Sequence, residues 1–267
     1  MTEISAGLVK ELRELTGAGM MDCKRALQDT EGDLDAARTL LREKGMAQAG
    51  KRADRATTEG LVGTIVEGGV GTIVGIGCET EPVSKNDEFR AFAERVLRAV
   101  HETGVDAAAT FDEERMELMG KLGENIVVTG VERYEDGGTI ASYVHPPANK
   151  IGVLVDLEGG DEALARQLAM HISFAAPEWA TREEIAPEVI EAERQVYLNS
   201  EEVLSKPEAA REKIVDGMLG KRFFAASPGG VLVDQAWIHD QSQSVGAALA
   251  AAGASLKGFK RVSVAGS

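Results

Sequence analysis

Residues 12–27 have the sequence Leu12-Arg13-Glu14-Leu15-Thr16-Gly17-Ala18-Gly19-Met20-Met21-Asp22-Cys23-Lys24-Arg25-Ala26-Leu27. Leu8, Leu12 and Leu15 recur at helical spacing, so they predict one apolar face of a first helix. Gly17 and Gly19 permit a reversal of the backbone after it, and a second apolar helix starts at once. The stretch therefore predicts a helix, a tight turn and a second helix at the start of the fold.

A third helix completes a predicted three-helix bundle between Ile4 and Gly45. Ser5 and Asp33 are the expected N-caps of the first and third helices. We expect Gly45 to end the third helix, whose apolar stripe is Leu34, Ala37, Leu40 and Leu41. A bundle of about forty residues is marginal alone, so residues 1–46 are expected to form a small domain tethered to a larger one.

The predicted tether spans residues 47–59. It carries the cations Lys51, Arg52 and Arg55, and its apolar residues show no periodicity. Such a run is typical of a solvated linker or of a frayed helix. A dedicated binding arm is the less favoured alternative.

Alternating and β-branched residues take over after the tether. Residues 61–67 and 70–78 flank Gly68-Gly69, which predicts a hairpin, and an amphipathic helix with Phe89, Phe92, Val96 and Val100 follows. The same order recurs, with strands at 139–144 and 151–157 and a helix containing Leu164, Leu168, His171 and Ile172. A helix is expected at 112–125 and a strand at 126–133. We predict an α+β core of two related subdomains, residues 60–138 and residues 139–184 with 225–267.

A helical hairpin is predicted for residues 185–224. Pro187 is placed as a first-turn proline of a helix that runs to about Ser205, and Pro207 opens a second helix. Val189, Val196 and Val203 keep a seven-residue spacing that is typical of a coiled coil. The pattern is compatible with a hairpin that protrudes from the core and with one that packs onto it. A short helix at 245–252 and a strand at 259–264 are expected to close the chain.

Composition limits the classes of partner and of location. The chain has 267 residues and a formal net charge of -15, which argues against a cationic surface for nucleic acid or anionic membrane. Cys23 and Cys78 lie far apart without metal-ligand spacing, so we expect two reduced, buried thiols. No charged and apolar leader or membrane-length apolar run is found in the sequence. We therefore expect a cytoplasmic protein that does not bind nucleic acid or membrane directly.

Most sequence motifs of enzymes are absent from the chain. Residues 69–75 carry valine at 74 where a dinucleotide-binding fingerprint needs glycine, and no phosphate-cradling turn or nucleophile elbow occurs. The four histidines show no ligand spacing, and His171 on an apolar helix face is typical of a core residue. We predict a protein that is not an enzyme and holds no cofactor or metal. A hydrolase that pairs His145 with a carboxylate such as Asp156 stays open as an alternative.

Residues 12–27 resemble the N-terminal signature of the bacterial elongation factor Ts family, Leu-Arg-x-x-Thr-Gly-Ala-Gly-Met-Met-Asp-Cys-Lys-x-Ala-Leu. Further landmarks follow in order along the chain, at residues 79–83, 121–125, 143–155, 169–172 and 206–208. The resemblance implies a guanine-nucleotide exchange factor that binds elongation factor Tu and promotes release of GDP during translation elongation. The three-helix bundle also resembles ubiquitin-associated domains, which leaves a helical adaptor without exchange activity as an alternative.

The resemblance also implies which residues contact elongation factor Tu. These are Lys24 in the bundle, Thr80, Glu81, Pro82 and Val83 after the first hairpin, Leu122 and Gly123, and His145 in the second hairpin. The family has aspartate and phenylalanine where this chain has Glu81 and Pro82, and in the family the aromatic ring wedges between partner side chains near the magnesium site. Glu81 keeps the charge, but Pro82 cannot supply the ring. Pro82 is expected to stiffen the loop and to push Glu81 toward extended geometry. Pro146 replaces a glycine that commonly follows the histidine.

Overall fold

The computed structural model describes residues 4–50, 52–135 and 137–265; Lys51 of the predicted tether lies outside these ranges. The chain starts with three helices, α1 (Ala6–Thr16), α2 (Met20–Asp29) and α3 (Leu34–Gly50). The predicted caps are confirmed, because Ser5 accepts a hydrogen bond from Leu8 N and Asp33 accepts one from Ala36 N. Their shared core consists of Val9, Leu12, Cys23, Ala26, Leu27 and Ala37. Leu15, expected on the same face, is instead mostly exposed.

The first sheet follows the bundle. Its elements are β1 (Glu59–Glu67), β2 (Val70–Cys78), α4 (Glu81–Ser84), α5 (Asp87–Thr103), α6 (Asp112–Leu122) and β3 (Ile126–Tyr134). The strands are antiparallel in the order β1-β2-β3, and a 3-10 segment at residues 105–111 joins α5 to α6. The predicted stripe of α5, with Phe89 and Phe92, is buried against the sheet. This confirms the first hairpin and its helix.

Gly45 does not end α3, so that prediction is wrong. The helix continues to Gly50 and takes in residues 47–50 of the predicted tether. Gly45 is needed for packing instead, since a Cβ on Gly120 of α6 would lie 3.1 Å from the Gly45 backbone. Arg42 of α3 forms ion pairs with Glu113 and Glu117 of α6 beside this crossing. The bundle is thus docked on α6 by a close helix–helix contact.

The second sheet begins with β4 (Thr139–Val144), β5 (Ile151–Glu158) and α7 (Glu162–Ala175). The hairpin region adds α8 (Pro187–Leu198), α9 (Glu201–Leu204) and α10 (Glu208–Met218). The chain then ends with β6 (Ala236–Trp237), β7 (Asp240–Ser244), α11 (Val245–Ala251) and β8 (Ser255–Ser263). The sheet order β4-β5-β8 repeats that of the first sheet, because the third strand again pairs with the second strand of the hairpin. The fold is therefore α+β with two related units, while their exact boundaries stay a prediction.

The two sheets pack against each other through an apolar layer. Its buried members are Val62, Ile73, Ile140, Leu154, Val262 and Val264. Gly152 of β5 comes so close to β1 that a Cβ there would lie 2.5 Å from Val62 Cγ1. The backbone N–H of Val62 also donates to Asn149 O at 2.8 Å. These contacts attach the turn between β4 and β5 to the first strand of the other sheet.

The helical hairpin differs from the prediction in two respects. The first helix does not run to Ser205, because it breaks after Leu198 and restarts at α9, which Ser200 caps. The expected valine stripe is also wrong, since Val196 is 63% exposed and only Val203 is buried. Arg194 lies on the face of α8 toward α10 instead, and its guanidinium donates a hydrogen bond to Asp216 of α10 at 2.7 Å. The apolar cluster of the hairpin draws only on residues 179–233, so it is separate from the cores of both sheets.

His171 is a core residue, as predicted. Its ring is buried on α7, 2.9 Å from Gln235 Oε1 and stacked on Trp237. Burial lowers the pKa of His171 below the ordinary value of 6.5, and the Gln235 hydrogen bond opposes that shift only in part. The folded chain therefore keeps this ring neutral at pH values where the unfolded chain protonates it.

We expect the melting temperature to fall as the pH is lowered from about 7.5 to about 5.5. Below pH 6.5 the unfolded state binds a proton at His171 that the folded state does not, so acid favours unfolding. This group changes the free energy of unfolding by at most about 1.4 kcal/mol for each pH unit. The melting temperatures of the wild type and of His171→Gln are measured by calorimetry over this pH range. The melting temperature of the variant should depend less on pH. Equal slopes in the wild type and in the variant would refute the assignment.

Candidate functional site

The segment after β2 is a single helical turn rather than a loop. Thr80 is its N-cap with extended backbone, and Glu81 and Pro82 occupy its first positions in α4. The expectation that Pro82 makes Glu81 extended is therefore wrong; Thr80 takes the extended conformation, and a proline is tolerated in the first turn of a helix. Glu81 and Pro82 are both exposed, whereas Val83 is half-buried against the α5 core. The turn thus presents one carboxylate and one small apolar ring to solvent.

Glu81 is already paired in the free chain. Lys85 Nζ lies 2.6 Å from Glu81 Oε1, and this hydrogen bond is the main cause that lowers the pKa of Glu81. Both side chains are well exposed, so the pair contributes little to stability. A cationic partner group can replace Lys85 at small cost. Glu81 is therefore charged and available at neutral pH.

Leu122 and Gly123 lie next to this turn. Leu122 is the last residue of α6 and packs partly on the α5 core, and Gly123 ends the helix with a φ of 78°. The next residue, Glu124, accepts hydrogen bonds from Glu79 N at 3.1 Å and from Thr80 N at 3.0 Å. The Thr80 hydroxyl donates to the same carboxylate at 2.5 Å. The structure therefore brings the predicted residues 80–83 and 122–123 together, through an acidic residue that the sequence did not single out.

His145 lies at the tip of the second hairpin. Its ring is exposed and its Nδ1 lies 3.0 Å from Tyr143 Oη, which orients the ring. The same turn is attached to β1 by the ion pair between Lys150 and Glu59. Lys150 is also close enough to Glu81 to contribute to the lowering of its pKa. The turn that carries His145 and the turn that carries Glu81 therefore flank the start of β1.

Lys24 belongs to a different surface. It is exposed on α2, and in the described part of the chain it makes no hydrogen bond or ion pair. Three large apolar side chains from the same motif are also exposed, with 55% for Leu15, 60% for Met20 and 59% for Met21. The sequence motif did not predict their exposure, and exposed apolar side chains in a group are typical of a protein-binding surface. No contact among the described residues joins Lys24 to the other predicted contact residues.

The structure does not bring His145 and Asp156 together, as the hydrolase alternative requires. Asp156 is buried on β5, where its carboxylate lies 3.3 Å from Lys257 Nζ, and its strand partner is Ile140. Ile140 precedes His145 by five residues, which is about 16 Å along a strand. Within residues 4–50, 52–135 and 137–265, no group of three or more acidic, histidine or cysteine side chains could hold a metal ion. No helix of these ranges is long and apolar enough to span a membrane.

The chain is similar in sequence to known proteins over almost its whole length. Residues 79–266 match the family model described as Elongation factor TS. The chain is 43% identical over 274 residues to Elongation factor Ts of Alkalilimnicola ehrlichii, which covers 98% of this chain and 92% of that protein. It is 40% identical to Elongation factor Ts of Hydrogenovibrio crunogenus, over 98% of this chain and 91% of that protein. Elongation factor Ts of Citrobacter koseri is 41% identical over 99% of this chain and 92% of its own length.

Proposed function

This chain belongs to the elongation factor Ts family, and we propose that it binds elongation factor Tu carrying GDP and promotes release of that GDP. The observation that carries the proposal is the grouping of three segments, residues 80–83, 122–123 and 145, around the start of β1. Glu81, Pro82 and His145 are exposed there, and Leu122 and Gly123 are half-buried beside them. We assign the activity to the cytoplasm, where translation elongation takes place, with no cofactor, metal or covalent step of the chain's own.

The mechanism follows from linkage. An exchange factor must bind the nucleotide-free GTPase better than the nucleotide-bound one, and the coupling is reciprocal, so GDP weakens the complex by the same factor. Couplings of this kind are typically about 1–3 kcal/mol, or roughly 5- to 150-fold in affinity. Loops that shift the phosphate-binding and magnesium-binding elements of the partner supply such a coupling. GTP then enters the empty site and the factor is expelled.

We assign the contacts as follows. Glu81 offers a carboxylate to a cationic group of the partner, and Pro82 supplies a small rigid apolar surface in place of the family's aromatic ring. Leu122 and Gly123 provide a flat apolar contact beside that turn, because glycine lets the partner approach the backbone. His145 offers a ring that Tyr143 holds in one orientation. Thr80 and Val83 mainly position the turn, since Thr80 is bonded to Glu124 and Val83 packs inward.

The bundle supplies a second contact. We propose that Lys24 meets a carboxylate of the partner, because it has no ion pair with another described residue that would have to break first. Met20 and Met21 lie one turn before Lys24 on α2 and are exposed apolar side chains. Methionine adapts its shape to a partner more readily than branched side chains do. The docking of α3 on α6 then sets the distance between this surface and the contact turns.

The proposal predicts a complex with elongation factor Tu that excess GDP dissolves. The chain and nucleotide-free elongation factor Tu should co-elute from a sizing column, and they should separate when GDP is added to the running buffer. Magnesium alone, without nucleotide, is the control and should leave most of the complex intact. A complex that persists in saturating GDP would contradict exchange and would favour the helical-adaptor alternative.

A further inference from the structure

The contact turn, residues 80–83, is anchored at its first residue by hydrogen bonds. The residues that make these bonds are Glu79, Thr80, Glu124 and Asn125, and we call this group the Glu124 clasp. Both oxygens of the Glu124 carboxylate are used, one by the two backbone N–H groups of Glu79 and Thr80 and the other by the Thr80 hydroxyl. The bonding is reciprocal, because Asn125 N donates to Glu79 Oε1 at 2.7 Å. Hydrogen bonds to a carboxylate are about twice as strong as those between neutral groups.

Thr80 is bonded at every polar atom. Its carbonyl oxygen accepts from Ser84 N at 3.2 Å and from the Cys78 thiol at 3.4 Å, while its N–H and hydroxyl go to Glu124. A threonine at an N-cap ordinarily uses its hydroxyl to accept from the first turn of its own helix. Here no such side-chain cap is made, and the hydroxyl turns to Glu124 instead. The local cap is thus replaced by a bond to a residue 44 positions further along the chain.

The clasp extends to the segment that joins the bundle to the core. The Asn125 side-chain amide donates to Ala53 O at 3.1 Å and to Arg55 O at 2.7 Å. The Arg55 guanidinium lies 3.4 Å from Glu79 Oε1. Asn125 itself is buried. One cluster therefore fixes the joining segment, the contact turn and the end of α6 relative to one another.

We propose that Glu124 is a positioning residue for nucleotide exchange, which holds the Glu81-Pro82 turn in its binding conformation through Thr80. This inference rests on the proposed function. Without the clasp, the turn samples other conformations, and only the fraction in the docked geometry can bind. Apparent affinity for the partner falls by that fraction, whereas the docked complex makes the same contacts as before. Glu124 acts on the concentration dependence of exchange and not on its maximal rate.

The test compares Glu124→Ala, Glu124→Gln and the control Glu158→Ala, which removes an exposed acidic residue at the end of β5. Release of labelled GDP from elongation factor Tu is measured over a range of factor concentrations. Glu124→Ala should raise the half-saturating concentration about tenfold and change the saturating rate by less than about twofold. Glu124→Gln keeps one acceptor oxygen and should recover most of that loss, to within about threefold of wild type. Glu158→Ala should match wild type.

Hydrogen exchange of the Thr80 amide in the free chain is the second readout. It should be faster in Glu124→Ala than in wild type, with the amides of β2 unchanged. The proposal would be overturned if Glu124→Ala released GDP with wild-type kinetics. It would also be overturned if the variant lowered only the saturating rate and left the half-saturating concentration unchanged. Faster hydrogen exchange of the β2 amides in Glu124→Ala would also overturn the proposal, because Glu124 would then stabilise the whole fold and not the turn alone. If the wild type fails to accelerate GDP release, the proposed function fails, and the Thr80 amide still reports whether the clasp exists.

Discussion

Replacing His145 by alanine should lower the rate of GDP release by about thirtyfold, the effect of losing about 2 kcal/mol at an interface hot spot. The ring is exposed and oriented by Tyr143, so its removal costs a partner contact and little folding stability. Pro82→Ala should change the rate by about twofold only, because proline buries a small area and mainly stiffens the turn. We expect His145, Leu122 and Gly123 to carry a larger share of the exchange in this chain, because Pro82 offers no aromatic ring.

Stopped-flow release of labelled GDP from elongation factor Tu measures both variants. His239→Ala, which removes another exposed histidine, is the matched control and should retain wild-type rates. Pro82→Phe should accelerate release if the partner has a pocket for the ring. If Pro82→Ala abolishes exchange while His145→Ala has no effect, proline is the decisive contact and this division of roles is wrong.

Replacing Gly60 by alanine should lower the free energy of unfolding by about 3 kcal/mol. Gly60 lies at the start of β1 with a φ of 139°, a backbone conformation that residues with a side chain rarely adopt. A Cβ there would overlap the Ile76 carbonyl oxygen and lie 2.9 Å from Gly77 Cα, both of them backbone atoms that cannot rotate away. The melting temperature measured by calorimetry should fall by about 6–12 °C.

Gly217→Ala is the control for this substitution. Gly217 lies in α10, and outside its own helix backbone and chain neighbours no described atom lies within 4 Å of the added Cβ, so alanine should be neutral or stabilise by up to about 1 kcal/mol. Because Gly60 lies between Glu59 and Val62, the two residues through which β1 holds the His145 turn, Gly60→Ala should also slow nucleotide exchange. Equal melting temperatures for the two variants would contradict the strain assigned to Gly60.

Local patterns predicted the hairpins and most helices, because the signals they rely on are close in sequence. Gly68 and Gly69 both have positive φ at the first hairpin, and Asn86 caps α5 by accepting from Glu88 N. The failures arise from contacts between distant segments. Gly45 has the sequence features of a helix end, but its role is decided by Gly120 on another helix. The valine heptad failed because α8 breaks after Leu198 and because Arg194 takes the contact face.

The sequence indicated which segments carry the candidate contact residues, but it did not indicate how these segments lie relative to one another. The resemblance to a family indicated Glu81, Leu122 and His145, and nothing in the sequence indicated that Glu124 joins two of the three segments. Its partners Glu79 and Thr80 are 45 and 44 residues away, and no periodicity links acceptors and donors over such distances. Exposed Met20 and Met21 were likewise missed, because an apolar residue in a helical motif is expected in the core.

The central claim is that this chain releases GDP from elongation factor Tu, and it is tested most directly with elongation factor Tu loaded with labelled GDP. A substoichiometric amount of the chain is added together with excess unlabelled nucleotide, and loss of label is followed over time. The account predicts that all of the label is lost faster than without the chain, because each molecule is expelled by incoming nucleotide and acts again. Release at the uncatalysed rate, at every concentration of the chain, would contradict it.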